Sequence, residues 1–430
     1  MGADRATPLE GAADPKPRLV LFVVALGTLL TAISGSSTNL ALPDIGRDFG
    51  VALDTSRWVV LSFLVTVTAA LPLAGRVGDA IGYNRLFLAG YALHIVAAAG
   101  CAAAPGLGTL VATRVLQGLA AAMVMAAGPA LLTTTFDAAY RGRALGMLGT
   151  ATYVGLAIGP PIGGLILTAG GWRWVFLIAA PVAAFITVLG WCILPARAAA
   201  PPGSLRARPF ASLALFRSRT FSASTIAALF NYVALFVPNI LIPFVLIEGH
   251  GLTQRTAGLV LAAQPIAMAL TAAPAGWLSD RFGSRGLSIF GMIAVALGAA
   301  GLSFTDAASS VASIAAWNAV IGVGTGVFVT PNSSALMGAA PRGQQGSAGG
   351  IMAVARNLGM MIGVASATTF FAAAGGTTGH LWDATDYRAL QIALLAAAGV
   401  AILGAVAAAL QKSREAADKP AQKLSAFSSK

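Results

Sequence analysis

The chain contains 430 residues, of which 27 are Lys or Arg and 15 are Asp or Glu. Charged residues make up 10% of the chain, against about 25% in an average soluble protein. Hydrophobic residues reach 57% before the 50 glycines are counted. So few charges cannot cover so much apolar surface, which excludes a soluble enzyme, a disordered chain and a disulfide-rich secreted domain.

The net charge of +12 does not indicate nucleic-acid binding, because that requires Lys and Arg clustered on a soluble face. In a polytopic membrane protein the same excess is expected from basic cytoplasmic loops. The two cysteines, Cys101 and Cys192, lie in apolar stretches, and no Cys/His cluster suggests a metal or redox site. We therefore expect a lipid bilayer as the surroundings, and no metal or cofactor.

Twelve apolar stretches are long enough to cross a bilayer, which takes about 20 residues each. Numbered as helices 1 to 12, they lie at about 19–42, 57–75, 86–104, 107–132, 143–169, 172–194, 221–247, 256–278, 286–305, 309–331, 344–373 and 388–410. The sequence predicts an all-α polytopic membrane protein. Its predicted parts are an N-terminal tail at 1–18, six-helix bundles at 19–196 and 221–410, a linker at 197–220 and a C-terminal tail at 411–430.

The basic residues are divided unevenly between the two sides of the predicted membrane. With the N-terminus inside, 20 of the 27 lie on the inner side, five on the outer side and two within helices. Cytoplasmic segments carry an excess of Lys and Arg. We therefore predict that both termini and the linker are cytoplasmic.

Short motifs recur in the two halves of the chain. The loop after helix 2 contains Gly75 and Asp79, and the loop after helix 8 contains Gly276 and Asp280, at an offset of 201 residues. The pair Gly155/Gly159 of helix 5 recurs in helix 11 at an offset of 204 residues. Several matches in the same order predict two homologous halves, an architecture that transporters use with the substrate site between the halves.

The two repeated loops are candidates for a conformational latch. Their glycines permit a tight turn, and Asp79 is expected near the start of helix 3, where a carboxylate meets the positive helix end. The alternative is a plain capped turn with cytoplasmic positive charge. The latch residues we select are Gly75, Asp79, Arg85, Gly276, Asp280 and Arg281.

Helix 5 carries a second motif, rich in glycine. Glycines four residues apart allow two helices to approach closely, and the following prolines bend or loosen the helix. Tight packing alone is the alternative to a role in transport. The motif consists of Gly155, Gly159, Pro160, Gly163 and Gly164.

Polar side chains concentrate in the first and fourth helices of each half. Buried polar groups are costly in lipid, so these helices are expected to face an aqueous pathway. Hydrogen bonding between helices is the alternative for any single residue. The candidate pathway residues on these helices are Ser34, Thr38, Asn39, Arg114, Gln117, Asn231, Tyr232, Asn318 and Asn332. Gln264 of helix 8 and Arg356 of helix 11 are added to them.

These motifs resemble the major facilitator superfamily, and within it the drug:proton antiporters. The loop from Gly75 to Arg85 is similar to the family's signature loop, and Arg114 to Gly118 to its helix-4 motif, whose arginine is implicated in proton transfer. The run from Gly155 to Gly164 closely resembles the helix-5 antiporter motif. The resemblance implies the major facilitator fold, in a twelve-helix version of a usually fourteen-helix group, and a bacterial inner membrane.

Two positions depart from the family pattern, and a mid-membrane carboxylate is missing. Ala80 replaces the usual basic residue of the signature loop, whereas Arg281 keeps it in the second half. Ser34 stands where many relatives have an acidic residue. No Asp or Glu lies in the middle of a predicted helix, so the residue that carries the proton is not evident.

We expect a monomeric secondary transporter that works by alternating access. It would export small organic molecules in exchange for protons, and Arg114 and Arg356 favour neutral or anionic substrates. The first alternative is an uptake permease or uniporter of the same fold. A membrane-embedded enzyme would need a cluster of catalytic side chains at membrane depth, and the sequence shows none. A sensor without transport activity is a further alternative.

Overall fold

The computed structural model describes residues 15–136, 138–194, 213–341 and 345–412. Most of the predicted tails and of the linker falls outside these ranges. Within them, twelve helices are long and apolar enough to cross a membrane. They are α1 (Pro15–Phe49), α2 (Leu53–Ile81), α3 (Tyr83–Ala102), α4 (Leu107–Thr135), α5 (Ala138–Gly170), α6 (Trp172–Ile193), α7 (Arg219–Gly249), α8 (Gln254–Phe282), α9 (Ser284–Leu302), α10 (Val311–Gly338), α11 (Gln345–Ala373) and α12 (Ala384–Ala409). This all-α architecture confirms the predicted fold class.

The two halves repeat the same packing. In the first half α1 packs on α5, α4 on α2 and α3, and α3 on α6. In the second half α7 packs on α11, α10 on α8 and α9, and α9 on α12. The glycine contacts repeat as well, since Gly155 of α5 faces Leu29 and Ala32 of α1, and Gly359 of α11 faces Leu229 and Tyr232 of α7. The pseudo-symmetry inferred from the motif offsets is therefore present in the packing.

Helices α2 and α8 end at equivalent glycines. Gly82 has φ = 93° and Gly283 has φ = 87°, a conformation that side chains with a Cβ rarely adopt. The expectation that Asp79 lies near the start of α3 is wrong, because α2 continues to Ile81 and places Asp79 in its last turn. Gly75 and Gly78 do not interrupt α2, so the helix ends six residues later than predicted.

The start of α12 is fixed by a capping box. Asp383 accepts hydrogen bonds from the backbone N–H groups of Thr385 (2.7 Å) and Asp386 (3.1 Å). These hydrogen bonds lower the pKa of the exposed Asp383 carboxyl. The bond from the N–H of Asp386 has the larger effect, followed by the bond from the N–H of Thr385. Such caps satisfy N–H groups that have no partner within the helix. The loop between α11 and α12 is tied to the end of α7 by Glu248, which accepts hydrogen bonds from the N–H of Gly379 at 3.1 Å and from Nε1 of Trp382 at 3.3 Å.

Candidate functional site

The two halves are joined at one end of the molecule, which we call the seal. It lies where α1 leads into α2, α7 into α8 and α11 into α12. Where both partners are described, every hydrogen bond between the halves lies between this end and the middle of the helices. These bonds join Asp44 to Gln254, Leu53 to Thr378, Arg57 to Thr368 and Thr369, and Thr68 to Met361.

One side of the seal is a close backbone contact between α5 and α8. A Cβ added to Gly258 of α8 would collide with the carbonyl of Pro160 of α5. A Cβ added to Gly164 would lie 3.0 Å from Cα of Arg255 and would collide with the carbonyl of Gln254. Two members of the helix-5 motif, Pro160 and Gly164, thus form the contact between the halves.

The other glycines of the motif face α1. Added Cβ atoms at Gly155 and Gly163 would lie 2.7 Å from Cβ of Ala32 and 2.8 Å from Cβ of Ser37, and one at Gly159 would collide with Oγ of Ser36. Ser37 also donates a hydrogen bond to the carbonyl of Gly159 at 2.8 Å. The motif therefore holds α5 against α1 on one face and against α8 on another.

The opposite side of the seal is polar. Arg57 of α2 donates to Oγ1 of Thr368 at 2.6 Å and to Oγ1 of Thr369 at 3.2 Å, both on α11. The backbone N–H of Leu53 donates to Oγ1 of Thr378 at 3.1 Å. Sequence reasoning missed this contact, because neither Arg57 nor Thr368 is part of a sequence motif.

Below the seal, residues of three helices approach one another. Tyr153 of α5 lies within electrostatic range of Tyr232 of α7 and Arg356 of α11. All three side chains are half-buried. The Nε atom of Arg356 is buried and has no hydrogen-bond partner. Two of these residues were candidates from the sequence. Tyr153 was not, although its spacing of seven and eleven residues from Pro160 and Gly164 places it on the same face of α5.

Arg114 has a different environment from Arg356. Its side chain is 3% exposed, its Nε donates to the carbonyl of Val59 at 2.8 Å, and its Nη1 donates to Oε1 of Gln117 at 2.6 Å. The guanidinium lies 4.4 Å from the ring centroid of Phe63. Arg114 and Gln117 are thus brought together inside the first half, where both bond to protein groups in this conformation.

The other pathway candidates are distributed over several helices. On α1, Ser34 and Asn39 are half-buried, whereas Thr38 is buried and donates to the carbonyl of Ser34 at 2.7 Å. The amide nitrogens of Gln264 and Asn318 and the amide oxygen of Asn231 are buried without a hydrogen-bond partner. Asn332 lies apart from the seal, where it donates to the carbonyl of Ser224 at 3.0 Å and accepts from Gln411 at 2.8 Å.

The two repeated loops lie at the end of the molecule opposite to the seal. Asp79 accepts a hydrogen bond from the Tyr83 hydroxyl at 2.5 Å, within the first half. Arg281 lies 5.8 Å from the ring centroid of Trp277 and 5.9 Å from that of Phe282, both on its own helix. A latch between the halves at these loops therefore stays a prediction about another conformation.

Comparisons with known proteins agree with this architecture. The sequence model of the Major Facilitator Superfamily matches residues 24–227 and 224–428. A crystal structure of a bacterial homolog of the human lysosomal transporter Spinster, inward-facing and unoccupied, has a TM-score of 0.76 at 14% identity. The alignment covers 93% of this chain and 98% of that one.

Curated relatives match most of the chain. A riboflavin transporter, RibZ, of Clostridioides difficile is 27% identical over 82% of this chain and 88% of its own. A tetracenomycin C resistance and export protein of Streptomyces glaucescens is 26% identical over 84% and 76%. The multidrug efflux pump LfrA of Mycolicibacterium smegmatis is 28% identical over 85% and 83%. The chain is thus a multi-pass transport protein, not an enzyme, and belongs to the Major Facilitator Superfamily, with a resemblance to its drug:proton antiporter group.

Proposed function

We propose that the protein exports small organic molecules in exchange for protons by alternating access, in a bacterial inner membrane and with both termini in the cytoplasm. The contact of α5 with α1 and α8 carries this proposal. It is built by the motif that resembles the antiporter signature, and it forms part of the seal. Relatives named as an export protein and as an efflux pump support the direction of transport.

Under this proposal, the position of the seal indicates which state of the transport cycle the structure represents. With cytoplasmic termini, the sealed end is the outer end, so this conformation is closed toward the outside. An exporter takes up its substrate in this state. Opening of the seal and closure of the opposite end would release the substrate outside, which is the rigid-body movement of two repeats around a central site.

The preferred substrates are neutral or anionic. Arg356 lies twelve residues from Thr368 of the seal, about 18 Å along the helix at 1.5 Å per residue, and so near the middle of the membrane. The nine acidic residues in the described part of the chain all lie near helix ends or in loops. Two like charges several ångströms apart repel by a few kcal/mol at an effective dielectric constant of about 20, so a bound cation is disfavoured.

Uptake, or transport that is not coupled to protons, is the second candidate. Two observations favour it: the described spans have no carboxylate at mid-depth, and one relative is named only as a riboflavin transporter. Transport into inverted membrane vesicles separates the candidates. Exchange with protons predicts accumulation that requires an imposed pH gradient, acidic inside, and stops when the gradient is collapsed. Accumulation that is independent of the gradient would refute the proton-coupled proposal.

A further inference from the structure

Arg356 is a mid-membrane cation for which the described residues provide no counter-ion. It forms no ion pair with a described residue, and its Nε atom is buried without a hydrogen-bond partner. An intramembrane charge is expensive unless something compensates it. Arg114, in contrast, is compensated by a backbone carbonyl, an amide oxygen and an aromatic ring. The compensating group for Arg356 is therefore expected to come from a bound molecule.

The surroundings of Arg356 are aromatic. Arg356 precedes Gly359 by about one helical turn and lies on the same face of α11. At Gly359, α11 contacts Tyr232 of α7: a Cβ added to Gly359 would lie 2.8 Å from Cβ of Tyr232. Tyr153 belongs to the opposite half of the molecule, on the face of α5 that carries Pro160 and Gly164 and contacts α8 of the second half. It also lies within electrostatic range of Tyr232 and Arg356. One guanidinium and two phenol rings thus lie near one another at the interface between the two halves, below the seal.

We propose that Tyr153, Tyr232 and Arg356 form a binding site for flat aromatic acids, with the carboxylate or phenolate on Arg356 and the ring system against the two tyrosines. This inference rests on the proposed transport function and specifies its substrate class. Arginine binds carboxylates through two parallel hydrogen bonds, which a neutral or cationic group cannot accept in the same way. Aromatic faces attract a flat ring by burial and by ring–ring contacts.

The division of the site between the halves gives it a role in transport. Tyr153 belongs to the first half, whereas Tyr232 and Arg356 belong to the second. A flat acid held by all three would contact both halves and bind more tightly in one relative position than in another. Only such a difference in affinity allows a ligand to shift a conformational equilibrium.

Binding to the purified full-length protein in detergent tests the site without requiring transport. The probe is 2-naphthoate, measured by isothermal titration calorimetry, with decahydro-2-naphthoate and a naphthyl-trimethylammonium salt as matched compounds. We expect 2-naphthoate to bind at least tenfold more tightly than either. Arg356→Gln should weaken its binding at least tenfold, and Arg356→Lys should weaken it less.

Further variants separate the site from a general loss of folding. Tyr153→Leu should weaken binding of 2-naphthoate more than that of the saturated acid. Arg388→Gln, which changes an exposed arginine of α12, should leave both affinities unchanged. Equal affinity of the wild type and of correctly folded Arg356→Gln for 2-naphthoate, or no binding to the wild type, would overturn the proposal.

The same measurements distinguish this inference from the proposed function. Binding of 2-naphthoate through Arg356 without proton-dependent transport in vesicles would support the site and refute proton-coupled export. Proton-dependent export of other compounds, with no binding of 2-naphthoate, would support the function and refute the site.

Discussion

Nη1 of Arg57 lies 2.6 Å from Oγ1 of Thr368, and this hydrogen bond joins the first half of the chain to the second. No carboxylate pairs with Arg57 among the described residues, and its Nε atom is buried without a partner. The contact of Gly258 with Pro160 joins the halves through a different pair of helices, α8 and α5. The seal thus has a polar side and a side of tightly packed backbone.

Arg57→Ala should loosen the polar side of the seal. Removing a charged donor from a partly buried hydrogen bond costs about 1.5–3 kcal/mol, enough to change the ratio of two conformations about tenfold or more. Spin labels at Asp54 and Leu381, which are exposed on the two sides, would report a new population at longer distance. Arg173→Ala is the control, because Arg173 pairs with Asp48 within the first half at 2.7 Å. An unchanged distance distribution would contradict a role for Arg57 in closure.

Gly258→Ala should prevent full closure on the backbone side. The added methyl group would collide with the carbonyl of Pro160, which cannot rotate away as a side-chain tip can. Overpacking of this kind costs about 1–3 kcal/mol. We expect transport to fall at least tenfold at equal expression. Gly149→Ala in α5 is the control, since its Cβ would meet no atom within 4 Å, and equal effects of the two changes would argue against the contact.

Asp280→Asn should impair transport more than Asp79→Asn. Only the loop of Asp280 keeps the basic neighbour, Arg281, that a charge latch needs. In the sealed conformation Asp79 instead bonds to Tyr83 within its own half. Initial transport rates at matched expression measure the difference. Equal or reversed effects would indicate that the loops act as turns and not as latches.

The helices were predictable because hydropathy alone determines which segments can enter a bilayer. The predicted stretches at 143–169 and 172–194 correspond to observed spans Arg143–Gly170 and Trp172–Ile193. The repeat was also visible, because glycines are required where α5 meets α1 and where α11 meets α7. Helix ends such as that of α2 were less predictable, since glycines that end a helix and glycines that pack inside one look alike in sequence.

The site was only partly predictable. An arginine stands out in an apolar helix, so Arg114 and Arg356 were both found, but their different surroundings depend on which neighbours face them. Tyr153 could have been found from its helical spacing to Pro160 and Gly164. The pairing of Arg57 with Thr368 spans 311 positions and depends on the conformation, so no local pattern encodes it.

Both termini are predicted to be cytoplasmic, because 20 of the 27 basic residues then lie inside. Single cysteines placed in the tails at 1–18 and 411–430, with Cys101 and Cys192 replaced, test this orientation. A membrane-impermeant maleimide added to intact cells should leave both tails unlabelled and should label them after permeabilisation. A cysteine at exposed Leu381 should be labelled in intact cells. Labelling of either tail from outside would refute the topology.

Ser34→Asp should broaden the substrate range toward cations. Ser34 is half-buried on α1, and next to it a Cβ added to Gly35 would meet no atom within 4 Å, so a carboxylate at residue 34 has open space nearby. This carboxylate would offset the field of Arg356, which otherwise disfavours a cation in a site of low dielectric constant. Competition in inverted vesicles between a quaternary ammonium dye and a neutral compound of similar size measures the change. We expect poor transport of the dye by the wild type and an increase of several-fold in Ser34→Asp, with Ser34→Asn as the uncharged control. Strong transport of the dye by the wild type that is unaffected by Arg356→Ala would refute the proposed preference, because the arginine would then have no influence on the charge that the pathway accepts.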